Sequence, residues 1–219
     1  MTLFDIVGPI MIGPSSSHTA GAARIGLVAR KLLGEDVLRA EILFHGSFAD
    51  TYKGHGTDRA LVAGLMGMGV DDPRIRDALE IARERGLSFT IDTVEIDGAH
   101  PNTAVLRLLG VSGAVVSMRA SSVGGGAIRV DMIDGLAVSF RVAQDTIVVR
   151  HTDLPGVIAH VSGLIAAHGV NIATMQVFRA CEGGQAVMAI EVDGDVPLAL
   201  RDELRAVNHI SGVAYVQRF

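Results

Sequence analysis

The spacing of apolar residues changes along the chain and separates helices from strands. Ile25, Val28, Ala29, Leu32 and Leu33 fall at i, i+3, i+4, i+7 and i+8. That spacing predicts an amphipathic helix ending at Gly34. "VLRAEILFHG" reads as a strand, and "TDRALVAGLMGMG", apolar and rich in glycine, predicts a closely packed helix. "DDPRIRDALEIARERG" predicts another helix, with Asp72 as N-cap, Pro73 at the first helical position and Gly86 past the end. "SFTIDTVEIDG" alternates as a strand, and "NTAVLRLLG", "AVVSMRASS" and "GAIRVDMIDG" follow as strands joined by tight turns. Short helices and strands mixed in this way predict an α+β domain over residues 1–144.

From residue 145 onward the pattern is more regular. "TIVVR" (Thr146–Arg150) is a short β-rich run. In "DLPGVIAHVSGLIAAHGV", Val157, Val161, Leu164, Ile165 and His168 recur at helical spacing, with Asp153 and Pro155 before them and Gly169 after. "NIATMQVFRA" and "QAVMAIEVDG" alternate as strands around the turn "CEGGQ"; "PLALRDELRAV" is a helix and "VAYVQRF" a last strand. The order β-α-β-β-α-β is the ferredoxin-like split motif, filling 145–219.

Composition narrows the functional classes. Apolar residues make up 49% of the 219 and charged residues 20%, as in a soluble globular protein. A net charge of −5, 4% aromatics and no tryptophan argue against nucleic acid as a partner. No apolar run approaches the ~20 residues of a membrane helix. The apolar N-terminus lacks a basic n-region, its first positive side chain being Arg24, so the expectation is a cytoplasmic chain without a signal peptide. The single cysteine, Cys181, allows no internal disulfide and no multi-cysteine metal site, so no metal site is expected in this chain.

Three stretches carry possible chemistry. In "GPSSSHTAG", Gly13-Pro14 enforces a turn, and Ser15, Ser16, Ser17 and Thr19 surround His18 just before a helix. One helix cap needs one hydroxyl; the surplus suits an anion or substrate carboxylate at a helix N-terminus. Catalysis by Ser17 as a hydrolase nucleophile is a weaker reading, because no Gly-x-Ser-x-Gly elbow is present. "HGSFADTYKGHGTDRA" reads as a glycine-rich loop between a strand and a helix, with His45, Lys53, His55 and Asp58. His55, flanked by glycines, suits proton transfer near neutral pH. "HPNT" (His100–Thr103) reads as a structural turn, and the triple glycine of "SSVGGG" as a hairpin or bulge.

The C-terminal stretch "DLPGVIAHVSGLIAAHGVNI" resembles the ACT domain, a small regulatory module that usually binds amino acids. The resemblance implies side-by-side self-association and an effector site at Asp153, Pro155, Gly156 and Asn171; "LPG" is equally a good helix start. "GPSSSHTAGAARIG", "GSFADTYKGHGTDRA", "HPNT" and "SVGGG" followed by an ACT domain are similar to the β subunit of bacterial iron–sulfur L-serine dehydratases. The N-terminal part also resembles the allosteric substrate-binding domain of some phosphoglycerate dehydrogenases, an anion-binding fold. These resemblances imply a lyase that deaminates L-serine to pyruvate and ammonia with a [4Fe–4S] cluster and no pyridoxal phosphate. The cluster and its cysteines belong to a catalytic α subunit, the expected partner. They further imply that Ser16, Ser17 and Thr19 bind substrate and that His18, His55 and Lys53 serve catalysis. The alternative is a non-catalytic subunit that senses an amino acid.

Overall fold

The computed structural model describes residues 10–218, so most of the apolar N-terminal stretch lies outside the described residues. Among them, no helix is long and apolar enough to cross a membrane. The chain divides into two compact units, Met1–Gly135 and Leu136–Phe219.

The first unit begins with a π-helical turn, Ser16–Ala20, running straight into α1 (Gly21–Leu33). Gly34 ends α1 at φ 83°, the left-handed stop expected from the sequence. There follow β1 (Val37–His45), α2 (Ser47–His55), α3 (Thr57–Leu65), a 3-10 turn at Pro73–Asp77, α4 (Ala78–Glu84), β2 (Ser88–Thr93), β3 (Thr103–Gly110), β4 (Val115–Gly124) and β5 (Ala127–Ile133). The strands lie in the order β2-β1-β3-β4-β5. Only β1 and β2 run parallel; β1–β3, β3–β4 and β4–β5 are antiparallel. Asp72 caps the 3-10 turn as expected, its carboxylate accepting from the Arg74 N–H at 2.9 Å.

Helix α1 packs on β3 and β4, and α3 packs on α1. Ile25, Val28, Ile42, Phe44 and Leu106 are fully buried there. Each buried side chain of this size contributes roughly 1.5–3 kcal/mol. The two helices meet backbone to backbone. A methyl group on Gly26 would stand 2.2 Å from the Leu61 carbonyl oxygen, and one on Gly64 would stand 2.1 Å from that of Ala23. The glycine-rich character of α3 is thus a packing requirement.

One expectation is corrected here. Residues 47–55 are helical, not a glycine loop. Gly46 (φ 58°) and Gly56 (φ 69°) take the left-handed turns at the two ends, and the residues between them are free to form α2. The fully buried Phe48 anchors that helix in the core, and the Thr51 hydroxyl donates to the Ser47 carbonyl at 2.6 Å.

The second unit contains β6 (Leu136–Arg141), β7 (Asp145–Thr152), α5 (Val157–Ala167), β8 (Asn171–Arg179), β9 (Gln185–Asp193), α6 (Leu198–Ala206) and β10 (Ile210–Val216). Four strands pair in the order β10-β7-β9-β8, every neighbour antiparallel. Ile147, Val149, Met188 and Ile190 form one core with Val157, Val161 and Ile165 of α5 and Leu200 and Leu204 of α6. This is the ferredoxin-like arrangement read from the sequence. Strand β8 is its exposed edge. Because α5 returns the chain to the start of the sheet, Asp153 sits beside the last residue of β8 and Asn171 is its first.

Candidate functional site

The site is built where the π-helical turn meets α2. In that turn the Gly21 N–H donates to the carbonyl of Ser16, five residues back. Such π turns widen the helix and often mark functional positions. Ser15 caps the turn, its hydroxyl accepting from the His18 N–H at 3.3 Å. The cap read from the sequence is therefore real, and it uses one hydroxyl.

The other hydroxyls gather around the His18 ring. Its Nδ1 lies 3.0 Å from Ser17 Oγ and 3.3 Å from Ser15 Oγ. Its Nε2 lies 3.1 Å from Ser47 Oγ, on the first residue of α2. The His55 ring meets His18 edge-on, with centroids 4.7 Å apart and planes at 68°. Phe48 closes another side, its ring centroid 5.3 Å from that of His18. His55 Nδ1 is buried and has no hydrogen-bond partner. Burial, and then the charge of His55, hold His18 below the usual histidine value, while its hydrogen bond to the backbone at Ser47 pulls the other way. Both causes disfavour a charge on the His18 ring.

The remaining positions take distinct places. Thr19 is buried and donates its hydroxyl to the His55 carbonyl at 3.5 Å, tying the turn to the end of α2. The Ser16 side chain is half-buried and next to the cluster in sequence, and no described hydrogen bond joins it to the two imidazoles. Lys53 is exposed, its ammonium 5.6 Å from the Tyr52 ring centroid; no described hydrogen bond joins it to the two histidines. Asp58 is buried in the first turn of α3, and burial pushes its carboxyl up. His45 is structural: its Nδ1 accepts from the Ile96 N–H at 3.3 Å. "HPNT" supports the site from behind. The Pro101 carbonyl accepts from the Phe48 N–H at 3.3 Å, and the Thr103 hydroxyl donates to the His100 carbonyl at 2.6 Å. "SVGGG" is a hairpin, and the Gly126 carbonyl accepts from Arg24 at 2.7 Å. Ser47 was not singled out from the sequence. Its only local signal is a serine that follows a glycine at the end of a strand.

In the second unit, Asp153 accepts from Arg179 at 2.7 Å, and this pair holds its carboxyl below the ordinary aspartate value. Asn171 donates to Asp193 at 2.7 Å. Pro155 and Gly156 are exposed in the loop before α5. Asp153 and Asn171 stand at opposite ends of β8, nine residues long and about 27 Å apart at ~3.3 Å per residue. One chain does not bring them together. Among the described residues, no three His, Cys, Asp or Glu side chains converge as a metal set, and Cys181 is exposed.

His18 makes the first unit sensitive to acid. Its folded value lies below the unfolded 6.5, so the unfolded chain binds more protons as the pH falls. The stability that neutral His18 contributes is complete above pH 6.5 and is lost as the pH falls through the folded value. Urea midpoints measured between pH 8 and pH 5 are expected to fall less steeply in His18→Asn than in the unaltered chain. Equal slopes would remove this assignment.

A mixed α/β unit bearing a hydroxyl–imidazole cluster, joined to a ferredoxin-like unit, defines a two-domain chain of the ACT-containing class; the ACT domain model matches residues 146–209. The chain belongs to the serine dehydratase beta chain family, whose model matches residues 2–132. It is 40% identical over 215 residues to the probable L-serine dehydratase, beta chain, of Bacillus subtilis (strain 168), covering 98% of this chain and 97% of that one. It is 36% identical over 215 residues to the L-serine dehydratase, beta chain, of Peptoniphilus asaccharolyticus, with the same coverage of each. It is also 26% identical over 196 residues to the D-3-phosphoglycerate dehydrogenase of Bacillus subtilis (strain 168), covering 89% of this chain and 37% of that enzyme.

Proposed function

We propose that this chain is the β subunit of a heteromeric L-serine dehydratase that converts L-serine to pyruvate and ammonia. In this reading the serine–histidine cluster forms the wall of the active site that grips substrate and moves protons. The observation that carries it is His55 Nδ1, a buried imidazole nitrogen without a partner, edge-on to a histidine whose own nitrogens are both engaged. An imidazole nitrogen left unengaged beside the hydroxyl cluster is placed to exchange a proton with a substrate.

The substrate carboxylate is assigned to the N-terminal end of the π turn and α1, beside Ser16 and Ser17. Thr19, already committed to the His55 carbonyl, fixes the distance between the π turn and the end of α2. His55 accepts the α-proton, the Cα–H electrons form the double bond, and the β-hydroxyl leaves as water once protonated. The aminoacrylate tautomerises to the imine, which water hydrolyses to pyruvate and ammonia. The partner α subunit is assigned the [4Fe–4S] cluster, which supplies Lewis-acid pull on the hydroxyl when bound. The cysteine content of this chain does not fit cluster ligation. The ACT unit is assigned self-association, with any effector site shared between copies.

Co-expression with a candidate α subunit, anaerobic purification and a pyruvate assay on L-serine test this reading. The expected result is a stable complex with activity above that of α alone. A failure to associate, together with no gain in activity, would overturn it.

A further inference from the structure

We propose that Ser47 is a positioning residue that holds His18 as its neutral Nε2–H tautomer. His18 Nδ1 then accepts from the Ser17 hydroxyl, and the unengaged ring nitrogen of the pair is His55 Nδ1. The proposal deepens, and rests on, the reading of this cluster as the proton-handling wall of the site.

A neutral imidazole carries one N–H and one lone pair, so its two nitrogens must meet partners of opposite kind. His18 is clasped on both sides: Ser17 Oγ at 3.0 Å and Ser15 Oγ at 3.3 Å from Nδ1, and Ser47 Oγ at 3.1 Å from Nε2. Ser15 Oγ already accepts the His18 backbone N–H and lies 3.2 Å from Ser17 Oγ. Its own hydrogen is therefore free to point at Ser17 or at Nδ1, which leaves the Nδ1 side rich in donors. On the opposite side the Ser47 hydroxyl oxygen, 3.1 Å from Nε2, is able to accept. With the hydroxyls of Ser17 and Ser15 both turned to Nδ1, its lone pair faces them and the ring hydrogen falls to Nε2, which donates to Ser47 Oγ. Nε2 is thus the donor, and Nδ1 the acceptor.

Ser47 is well placed to enforce this choice. It opens α2 directly after Gly46, whose φ is 58° and where a methyl group would stand 2.7 Å from the Pro101 carbonyl oxygen. The segment cannot slide without disturbing "HPNT". Ser47 is also 29 residues from His18 in sequence, so it fixes the ring relative to α2, the helix that ends in His55. His18 thereby becomes a neutral prop whose edge sets the direction of the His55 ring.

The test uses the full chain labelled with nitrogen-15 histidine, and the assembled αβ enzyme. Histidine nitrogen spectra are expected to show His18 as the Nε2–H tautomer in the unaltered chain and as a tautomer mixture in Ser47→Ala. The assembled Ser47→Ala enzyme is expected to lose about ten-fold or more in kcat with KM little changed. Ser47→Thr, which keeps the hydroxyl, is expected to restore both. Should Ser47→Ala misfold by circular dichroism, Ser47→Cys is measured in its place with the same expected shift. An Nδ1–H tautomer in the unaltered chain, or an unchanged spectrum in the variant, overturns the proposal. A shifted tautomer with undiminished kcat upholds Ser47 as the positioner of His18 and instead overturns the proton-handling reading of the cluster.

Discussion

Replacing Gly64 by alanine is expected to leave the first unit unfolded or barely stable. The added methyl would lie 2.1 Å from the Ala23 carbonyl oxygen and 2.8 Å from the Leu27 nitrogen, both backbone atoms of α1. A side chain could rotate out of the way; a helix backbone can yield only by moving the whole helix. That would pull α1 from the β3–β4 face and lift Ile25 and Val28 out of their packing. Overpacking in cores typically costs about 1–3 kcal/mol, and a backbone clash on this scale belongs at or above the upper end. Gly26→Ala, blocked by the Leu61 carbonyl at 2.2 Å, is expected to behave alike. Gly163→Ala is the control of opposite sign. It lies inside α5 with nothing within 4 Å of the new methyl, and should stabilise by about 0.4–1 kcal/mol. Urea unfolding of the three variants measures all of this. A Gly64→Ala chain as stable as the unaltered one would show that α1 and α3 do not meet at these glycines.

His55→Ala is expected to lower kcat of the assembled enzyme by roughly 10²–10⁴-fold, the usual contribution of a positioned acid or base. The complex itself should still form, because the His55 side chain is only half-buried and Thr19 binds its backbone carbonyl, which alanine retains. Lys53→Ala should cost much less. Its ammonium stands in solvent above Tyr52, away from the hydroxyl–imidazole cluster. The order of the two effects is itself informative. A larger loss from Lys53 would move the proton chemistry out of the cluster. If kcat survived in His55→Ala and only the response to an added amino acid changed, the sensing role would replace the catalytic one.

The regular elements were legible because a buried face imposes a period on the sequence. Ile25, Val28, Leu32 and Leu33 mark α1 by spacing alone, and the β-α-β-β-α-β order of the second unit follows from short runs of opposite period. Helix α2 was not legible. Gly54 and a mostly polar run conceal a helix that depends on one deeply buried side chain, Phe48, and on left-handed glycines at either end. The site was half legible. A crowd of hydroxyls at a helix start is a local signal, so Ser15, Ser16, Ser17, His18 and Thr19 stood out together. The contact between His18 and Ser47 is a tertiary one, and no local pattern of residues encodes it. The π turn was hidden for a related reason: it shifts one backbone hydrogen bond by a single residue, which side-chain chemistry does not record.

The distance between the two ends of β8 sets a rule for the ACT unit. A small ligand held by both the Asp153–Gly156 loop and an Asn171 must take the two from different chains. Such a ligand is also a cross-linker, and its occupancy depends on the protein's own concentration by mass action. Its apparent affinity should weaken on dilution, and saturating it should drive chains together.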